Sequence, residues 1–599
     1  MSVAKKILMG SGAVDDYEID QSLMFATGDT AYLHRTPGSA GNQRTWTWSG
    51  WVKRGLINID SQPQTFFGVG AGSGTQSNST FLWMGFYDKK VYVQDWTNNI
   101  KYVTNRYFRD PSAWYHFCIV VDTTDSTAGD RIKIFVNGVR ETSFEFSVGP
   151  SEDHDTAINS TNQHRMGAVD RPTYDYRFDG YMAEVHFIDG TALTPSSFGK
   201  TDSATNQWIP KKANVTYGTN GFYCKFVSGA IGTDSSGEGN NFTANNLANS
   251  DVMLDTPTNN FATLNPLAPL DATLTQGNLH KNSNTGAPAT FSFSSGKWYC
   301  EVAQLSGSST SSTFNYYIGV EDSVPGGTRS GWTLNYVSLG MANGGNTPDG
   351  FQVTTDTNGT VTQPTGSRPN AVAIIGVAID VDDGDVEFYI NGTLNGKCLG
   401  ITNWTPPVTV NLANWTGTMG SQPYSINFGQ NGTFNGNVTA GGNADGNGYG
   451  NFKYSPPTGY LAMCSKNLPT PTIKKPGDYF NPVIYTGNNS TNHDISGVGF
   501  QPDFTWIKNR SQADSHVLHD AVRGVGNVVY SDLDLAENNN AAYFGPFQTD
   551  GFRLSPTSVG HAYNASSENY VAWNWLAGTA PTADTVSYTH LTLPTTPYV

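Results

Sequence analysis

The stretch Ile375–Gly392, IGVAIDVDDGDVEFYING, constrains the fold of this chain more tightly than any other. Ile375, Val377 and Ile379 alternate with smaller residues, Asp380 to Asp385 make an acidic turn around Gly384, and Val386, Phe388 and Ile390 alternate again. Period-two alternation on both sides of an Asp/Gly cluster predicts a β-hairpin. The same pattern stands earlier in FCIVVDTTDSTAGDRIKIFVNG, Phe117–Gly138, and each copy closes on Asn-Gly. Two such hairpins far apart in one chain predict two β-domains of related architecture.

Composition supports an all-β chain. Of 599 residues only 14% are charged, 12% are aromatic and 65 are glycine. Segments with a helical 3.6-residue period are scarce, and Gly, Asn, Ser and Thr fill the connections. The length leaves room for several domains. The net charge of −16 comes without any dense run of Lys or Arg, which argues against a nucleic-acid partner. Cys118, Cys224, Cys300, Cys398 and Cys464 are scattered and lack C-x-x-C spacing, so they read as small apolar residues with neither a disulfide framework nor a zinc site. The N-terminal MSVAKKILMGSGAV is too short in apolar residues for a signal-peptide core, and no run reaches the length of a membrane span. The expectation is a chain made in a reducing cytoplasm, without membrane insertion.

Along the chain, residues 1–20 read as a short leading segment. TWTWSGWVKR, WYHFCIVVD, RIKIFVNG and FDGYMAEVHFIDGTALTP then follow in order, with Lys53 and Arg54 expected at a solvent-facing strand end. These four motifs resemble the laminin-G-like family of concanavalin A-type jelly-roll sandwiches, and the first domain is set at 21–247, with GFYCKF as a trailing strand and Gly232–Leu247 as a polar loop. Residues 248–285 read as an extended linker. From 286 to 432, GKWYCEV, YYIGV, the opening hairpin and YSINFGQ resemble the SPRY family, also a concanavalin A-like sandwich. Residues 433–475 read as a linker, with Gly441–Gly450 too Gly-rich to pack and Ser455–Ile473 stiffened by four prolines. Residues 476–585 alternate like strands again and resemble a C-terminal module of phage and phage-like proteins. The tail 586–599 contains VSYTHLTLPTT, which resembles a translated sequencing adaptor and carries no weight for fold or function. The predicted fold class is therefore all-β: two concanavalin A-like jelly-roll sandwiches and a third β-rich domain.

No catalytic constellation stands out. The E-x-D-x-x-E strand of related glucanases is missing, as are the G-x-S-x-G elbow and the Walker and Rossmann glycine patterns. Asp380, Asp382, Asp383 and Asp385 read as a solvated turn, with a calcium site as the alternative. His516 and His519 would share a face on a helix but not on a strand. Trp46, Trp48, Trp114, Trp298 and Trp573 lie in strand motifs and read as packing residues. Trp96, Trp332, Trp404 and Trp415 lie nearer turns rich in Asn, Asp and Gly. Such indoles can hold a sugar ring by its apolar face while polar neighbours take the hydroxyls, with core packing as the alternative. These four are the candidate ligand-binding residues; no catalytic residue is assigned, and calcium is the one cofactor the resemblance leaves open.

Taken together, the resemblances imply a virion-associated adhesin, a tail fibre or tail appendage. Its partners would be a host-surface glycan or protein receptor and other virion proteins, in a homotrimer if it is a fibre. A structural virion protein and a glycan depolymerase are the alternatives.

Overall fold

The computed structural model describes residues 17–57, 62–70, 81–95, 98–170, 176–268, 273–282, 286–305, 316–322, 335–341, 351–365, 372–414 and 424–577. Among the described residues strands dominate, and the helical elements are short turns of three or four residues. The all-β class read from the sequence is what the chain adopts. Among the described residues no helix is long and apolar enough to cross a membrane. The chain divides into two compact units, one holding the first two sandwiches up to Thr201 and over Gln207–Leu468, the other holding Asp202–Asn206 and the chain from Pro469.

The first sandwich pairs two eight-stranded antiparallel sheets. Thr45–Arg54 lies at the centre of one, between Trp114–Asp122 and Gly180–Asp189. Trp46, Trp48, Phe117, Ile119, Val121, Met182 and Val185 face the opposite sheet and share its core with Phe66, Met84 and Val93. These strands are buried on their other face as well. Cys118, Val120 and Ile188 lie under Phe198, Tyr217 and Tyr223 from the segment that follows. GFYCKF does return to this sandwich: Phe222–Cys224 pairs with Val185–Phe187. The loop expected at Gly232–Leu247 also contributes, since Thr243–Asn245 adds a strand beside Tyr32–His34.

The second sandwich, with nine- and five-stranded sheets, is built on the opening hairpin. Ala373–Asp380 pairs with Asp385–Ile390 on one side and with Lys297–Gln304 on the other. The two hairpins match in detail. In each, Asn-Gly is a two-residue turn with both residues at positive φ, 48° and 80° at Asn137 and Gly138, 49° and 81° at Asn391 and Gly392. Each Asn side chain also accepts the backbone N–H at the start of the preceding strand, His116 at 2.8 Å and Ile374 at 3.0 Å. A Cβ at Gly138 would lie 2.5 Å from the Trp208 ring, and one at Gly392 2.5 Å from Tyr454, so glycine is required there by space as well as by φ.

The segments read as linkers are packed. Val252–Met253 pairs with Ser22–Leu23 of the first sandwich, while Phe261, Ala262 and Leu264 are buried against the second. Within 433–475, Phe434, Phe452, Ala462, Met463 and Cys464 are buried, and Leu461–Ala462 pairs in parallel with Trp298–Tyr299. The Gly-rich run is held by Asp445. Its carboxylate accepts N–H bonds from Asn447, Tyr449 and Ala462 at 2.9 Å each, and one from the Asn467 amide at 2.7 Å. Composition misleads here because a few aromatic plugs and one buried carboxylate replace a continuous apolar stripe.

Lys53 and Arg54 do not face solvent. The Lys53 ammonium is fully buried on Asp255 at 2.6 Å, with Asn260 Oδ1 at 2.8 Å and the Phe261 carbonyl at 3.1 Å completing its donors. Arg54 donates to the Phe108 carbonyl at 2.7 Å and sits over the Phe86 ring. The strand end is covered because the segment after Met253 crosses it, and a charged terminus tolerates such burial only when paired.

The unit from Pro469 has a six-stranded sheet against a three-stranded one, with Ile507, Val517, Val528, Phe552 and Tyr570 between them. Along its edge strand Phe480–Thr486 the exposed positions are Phe480, Pro482, Ile484 and Thr486.

Candidate functional site

Of the four candidate tryptophans, Trp404 is described; Trp96, Trp332 and Trp415 lie outside the described residues. Trp404 is half-buried in the loop between Thr393–Leu399 and Val408–Asn414, packed on the core of the second sandwich. Its indole N–H is turned inward and has no partner. Around it the loops are tied by short polar side chains. Asp322 Oδ2 accepts the Asn335 amide at 2.9 Å and the Thr405 N–H at 3.0 Å. Asn358 donates to Thr402 Oγ1 at 2.7 Å and accepts the Thr402 N–H at 3.0 Å, and its own N–H reaches Asn403 Oδ1 at 3.1 Å. Asn358, Asn403 and Thr405 are exposed. The result is an indole packed on the core in a loop where its chain neighbours Asn403 and Thr405 are exposed. An aromatic surface with hydroxyl-matching groups at its edge is suited to a pyranose ring.

The acidic turn is fixed by its own fold. Asp380 forms an ion pair with Lys297, and its Oδ1 accepts the N–H groups of Asp382 and Asp383 at 3.2 Å each. Asp382 accepts the Gly296 N–H and Asp385 the Gly400 N–H. These carboxylates already have cationic and N–H partners and do not fit a calcium loop, which needs six or more converging oxygens. Among the described residues no three His, Cys, Asp or Glu side chains form a set suited to a metal ion.

His516 and His519 fall on a strand, Val517–Asp520, or at its edge, and part accordingly. His516 accepts the Trp506 indole N–H at 3.0 Å. His519 is buried, stacked on Phe544 with centroids 4.0 Å apart and bonded to the Val525 carbonyl and Tyr563. His116 and His164 are buried in the first sandwich. His164 Nδ1 pairs with the Asn162 carbonyl and Nε2 accepts the Asn159 N–H at 2.8 Å, which fixes the neutral form. Burial pushes the pKa of His116 and His164 down to about 3 and that of His519 to about 4. The unfolded chain takes up these protons near 6.5 while the folded chain does not. The stability contributed by the neutral rings is thus complete above pH 6.5 and drains away as pH falls toward 3. His164→Gln can keep both hydrogen bonds without titrating. Urea midpoints between pH 7 and pH 4 are expected to fall more steeply for the parent chain than for His164→Gln; equal slopes would contradict this.

One polar cluster escaped the sequence reading. Glu184 sits at a β-bulge with φ 50° and accepts hydroxyl bonds from Tyr17, at 2.8 Å, and from Tyr223. His186 stacks on Tyr223 at 4.2 Å and bonds Tyr217 at 2.9 Å. Burial opposes ionisation of Glu184, but the bonds from His186, Tyr223 and Tyr17 outweigh it and hold its pKa below the ordinary value. The parts come from 17, 184–186 and 217–223, so no local spacing could signal them. Glu184 is 7% exposed, and the cluster ties the N-terminal segment and the trailing strand to the sheet.

The described chain is thus an all-β protein of packed β-sandwiches. Residues 26–197 match the family model of the Concanavalin A-like lectin/glucanases superfamily, and residues 475–593 match a domain of unknown function, DUF7483. Comparison with curated proteins gave no match. Among solved structures, a heptameric pentraxin of Limulus polyphemus is 17% identical, over 38% of this chain and 94% of that one, with a TM-score of 0.25. The LG4-5 domains of mouse laminin alpha1 are 8% identical, over 71% and 92%, with a TM-score of 0.24. The fourth domain of an arabinanase from Geobacillus stearothermophilus, solved with arabinotriose, is 19% identical, over 26% and 66%, with a TM-score of 0.18. The assignment of the first sandwich rests on the family match and its own strand order, not on these likenesses.

Proposed function

We propose that this chain is a glycan-binding adhesin of a virion, a tail fibre or appendage that recognises a host-surface glycan through its β-sandwich rims without catalysis. The observation that carries the reading is Trp404, packed on the core in a polar loop whose Thr402, Asn403 and Thr405 are exposed. The rim carboxylate of Asp322 is engaged in fixing loops, which suits binding more than hydrolysis, where two carboxyls must be free to act across one bond. The lectin/glucanase match of the first sandwich and the SPRY-like motifs of the second support recognition; the phage-like motifs after 475 support the virion. Several modest sites on a multivalent particle would reach high avidity. A second reading, a structural virion protein, draws support from the outward face of the six-stranded sheet. There Phe480, Ile484, Trp506, Trp573 and Trp575 are exposed or half-buried, with Ile484 73% exposed.

The test is a glycan array with the full chain, with and without calcium, alongside its mass in solution. Saturable binding that Trp404→Ala weakens about tenfold or more, with far-UV circular dichroism unchanged, is the expected result. No binding to any glycan or host cell would overturn the adhesin reading, and a stable oligomer in that case would favour the structural one.

A further inference from the structure

Where the two sandwiches of the first unit meet, a groove of about 350 Å³ opens between them. That is within the range of ordinary small-molecule sites, about 300–1,000 Å³. One wall is Arg109, Asp110, Pro111 and Ser112, from the loop before Trp114–Asp122; the other is Asn265, Leu267 and Thr290. The walls are tied together. The Ser112 carbonyl accepts the Asn260 amide at 2.7 Å, next to the buried Lys53–Asp255 pair. Thr290 Oγ1 accepts the Thr263 N–H at 3.0 Å, and the Asn265 N–H reaches the Pro288 carbonyl at 2.8 Å. The groove is therefore preformed.

Its polar groups are only partly engaged. Asp110 Oδ1 accepts the Ser112 N–H and hydroxyl at 2.8 and 2.6 Å, leaving Oδ2 without a bond. Asn265 Oδ1 accepts the Leu267 N–H, leaving its amide N–H groups without an acceptor. Arg109 is exposed and lies over the Tyr107 ring at 4.3 Å. Among the described residues no carboxylate pairs with it. Lys90 approaches the same ring at 4.8 Å but is paired with Glu145, so among the described residues Arg109 is the one cation lining the groove. Pro111 and the half-exposed Leu267 supply apolar surface.

We propose that this groove is a second saccharide site, selective for a sugar that carries a carboxylate, a uronic-acid-type residue. Arg109 pairs with the carboxylate as a charge-assisted, bidentate contact. Asp110 Oδ2 accepts from ring hydroxyls and the Asn265 amide donates to them, while Leu267 and Pro111 meet the C–H face. A neutral sugar leaves Arg109 unmatched, which makes the site selective. The inference rests on the junction's residues and is independent of the Trp404 rim.

The test titrates the full chain with oligomers of galacturonic acid and of alginate uronates, and with neutral galactose oligomers. Saturable binding of at least one uronate series, weaker at high salt, is expected. Arg109→Gln should weaken it by about tenfold to a hundredfold, as loss of one hydrogen-bonded charge pair implies. Trp404→Ala should leave it unchanged, which separates this site from the rim. Arg109 is exposed, so the variant is expected to fold, with near-UV circular dichroism as control. No uronate binding, equal binding of neutral oligomers, or parent-like affinity in Arg109→Gln would each overturn the proposal.

Discussion

Replacing Lys53 by methionine is expected to destabilise the first unit by about 3–5 kcal/mol, the usual cost of breaking a buried pair from one side. The variant leaves the Asp255 carboxylate inside the protein with only the Trp114 indole N–H at 3.0 Å and the Phe261 N–H at 3.3 Å. Asp255→Asn should cost less, because Lys53 keeps Asn260 and the Phe261 carbonyl as acceptors. The double variant Lys53→Met, Asp255→Asn should then recover part of the loss, giving a coupling energy between the two sites. Urea unfolding followed by tryptophan fluorescence measures all three. A loss below about 1 kcal/mol in Lys53→Met, the range of exposed pairs, would show that the pair does not brace the junction. The same pair positions Asn260 beside Ser112, so a loosened junction should also blunt the groove's ligand binding.

Glu301→Ala should destabilise the second sandwich by a comparable amount, about 3–5 kcal/mol. Glu301 holds the Gly-rich segment to the sheet, accepting the N–H groups of Lys453 at 2.7 Å and Tyr454 at 2.8 Å, with the Tyr299 hydroxyl at 3.2 Å. Removing it orphans two backbone donors, at about 1–3 kcal/mol each, and releases the packing of Phe452 against Tyr299. Burial raises the Glu301 pKa from 4.5 to about 7, against the opposing effect of those N–H bonds. The folded chain therefore binds more protons than the unfolded chain between pH 4.5 and 7. The Glu301 contribution to stability falls as pH rises through that window and levels above it. Glu301→Gln keeps one acceptor and does not titrate, so it should cost less than Glu301→Ala and lose this slope. An unchanged slope in Glu301→Gln would contradict the assignment. Asp179, buried and likewise raised to about 7, contributes with the same sign, whereas the buried histidines oppose it below pH 6.5.

Most of the architecture was legible in the chain because it is written locally. Alternation fixes which residues a strand can bury, and Asn-Gly fixes where it turns. Both hairpins therefore stand where they were read, with matching Asn braces at His116 and Ile374. The strand motifs TWTWSGWVKR, WYHFCIVVD and GKWYCEV also form central strands. What failed was the reading of residues whose partners are far away. Lys53 reads as a solvent-facing end because nothing nearby in the sequence offers a carboxylate; Asp255 arrives from a segment whose composition is that of a linker. Gly441–Gly450 looked unpackable because its fastening is a few buried groups, Asp445, Phe452 and Glu301, and no apolar period connects them.

The candidate site divides in the same way. Tryptophan near Asn and Gly drew attention to Trp404, a signal of residue type alone. That its indole is anchored while Asn358, Thr402 and Asn403 lock the loops around it depends on strands brought together across the sandwich. The groove with Arg109 and Asn265 had no sequence signature, since its walls come from two sandwiches. The sequence by itself determined strands, turns and class, because those follow from neighbours along the chain. Only the tertiary structure decided which charges are buried, which linkers are core and which polar groups remain open to a ligand, because burial and pairing are properties of segments that meet in space.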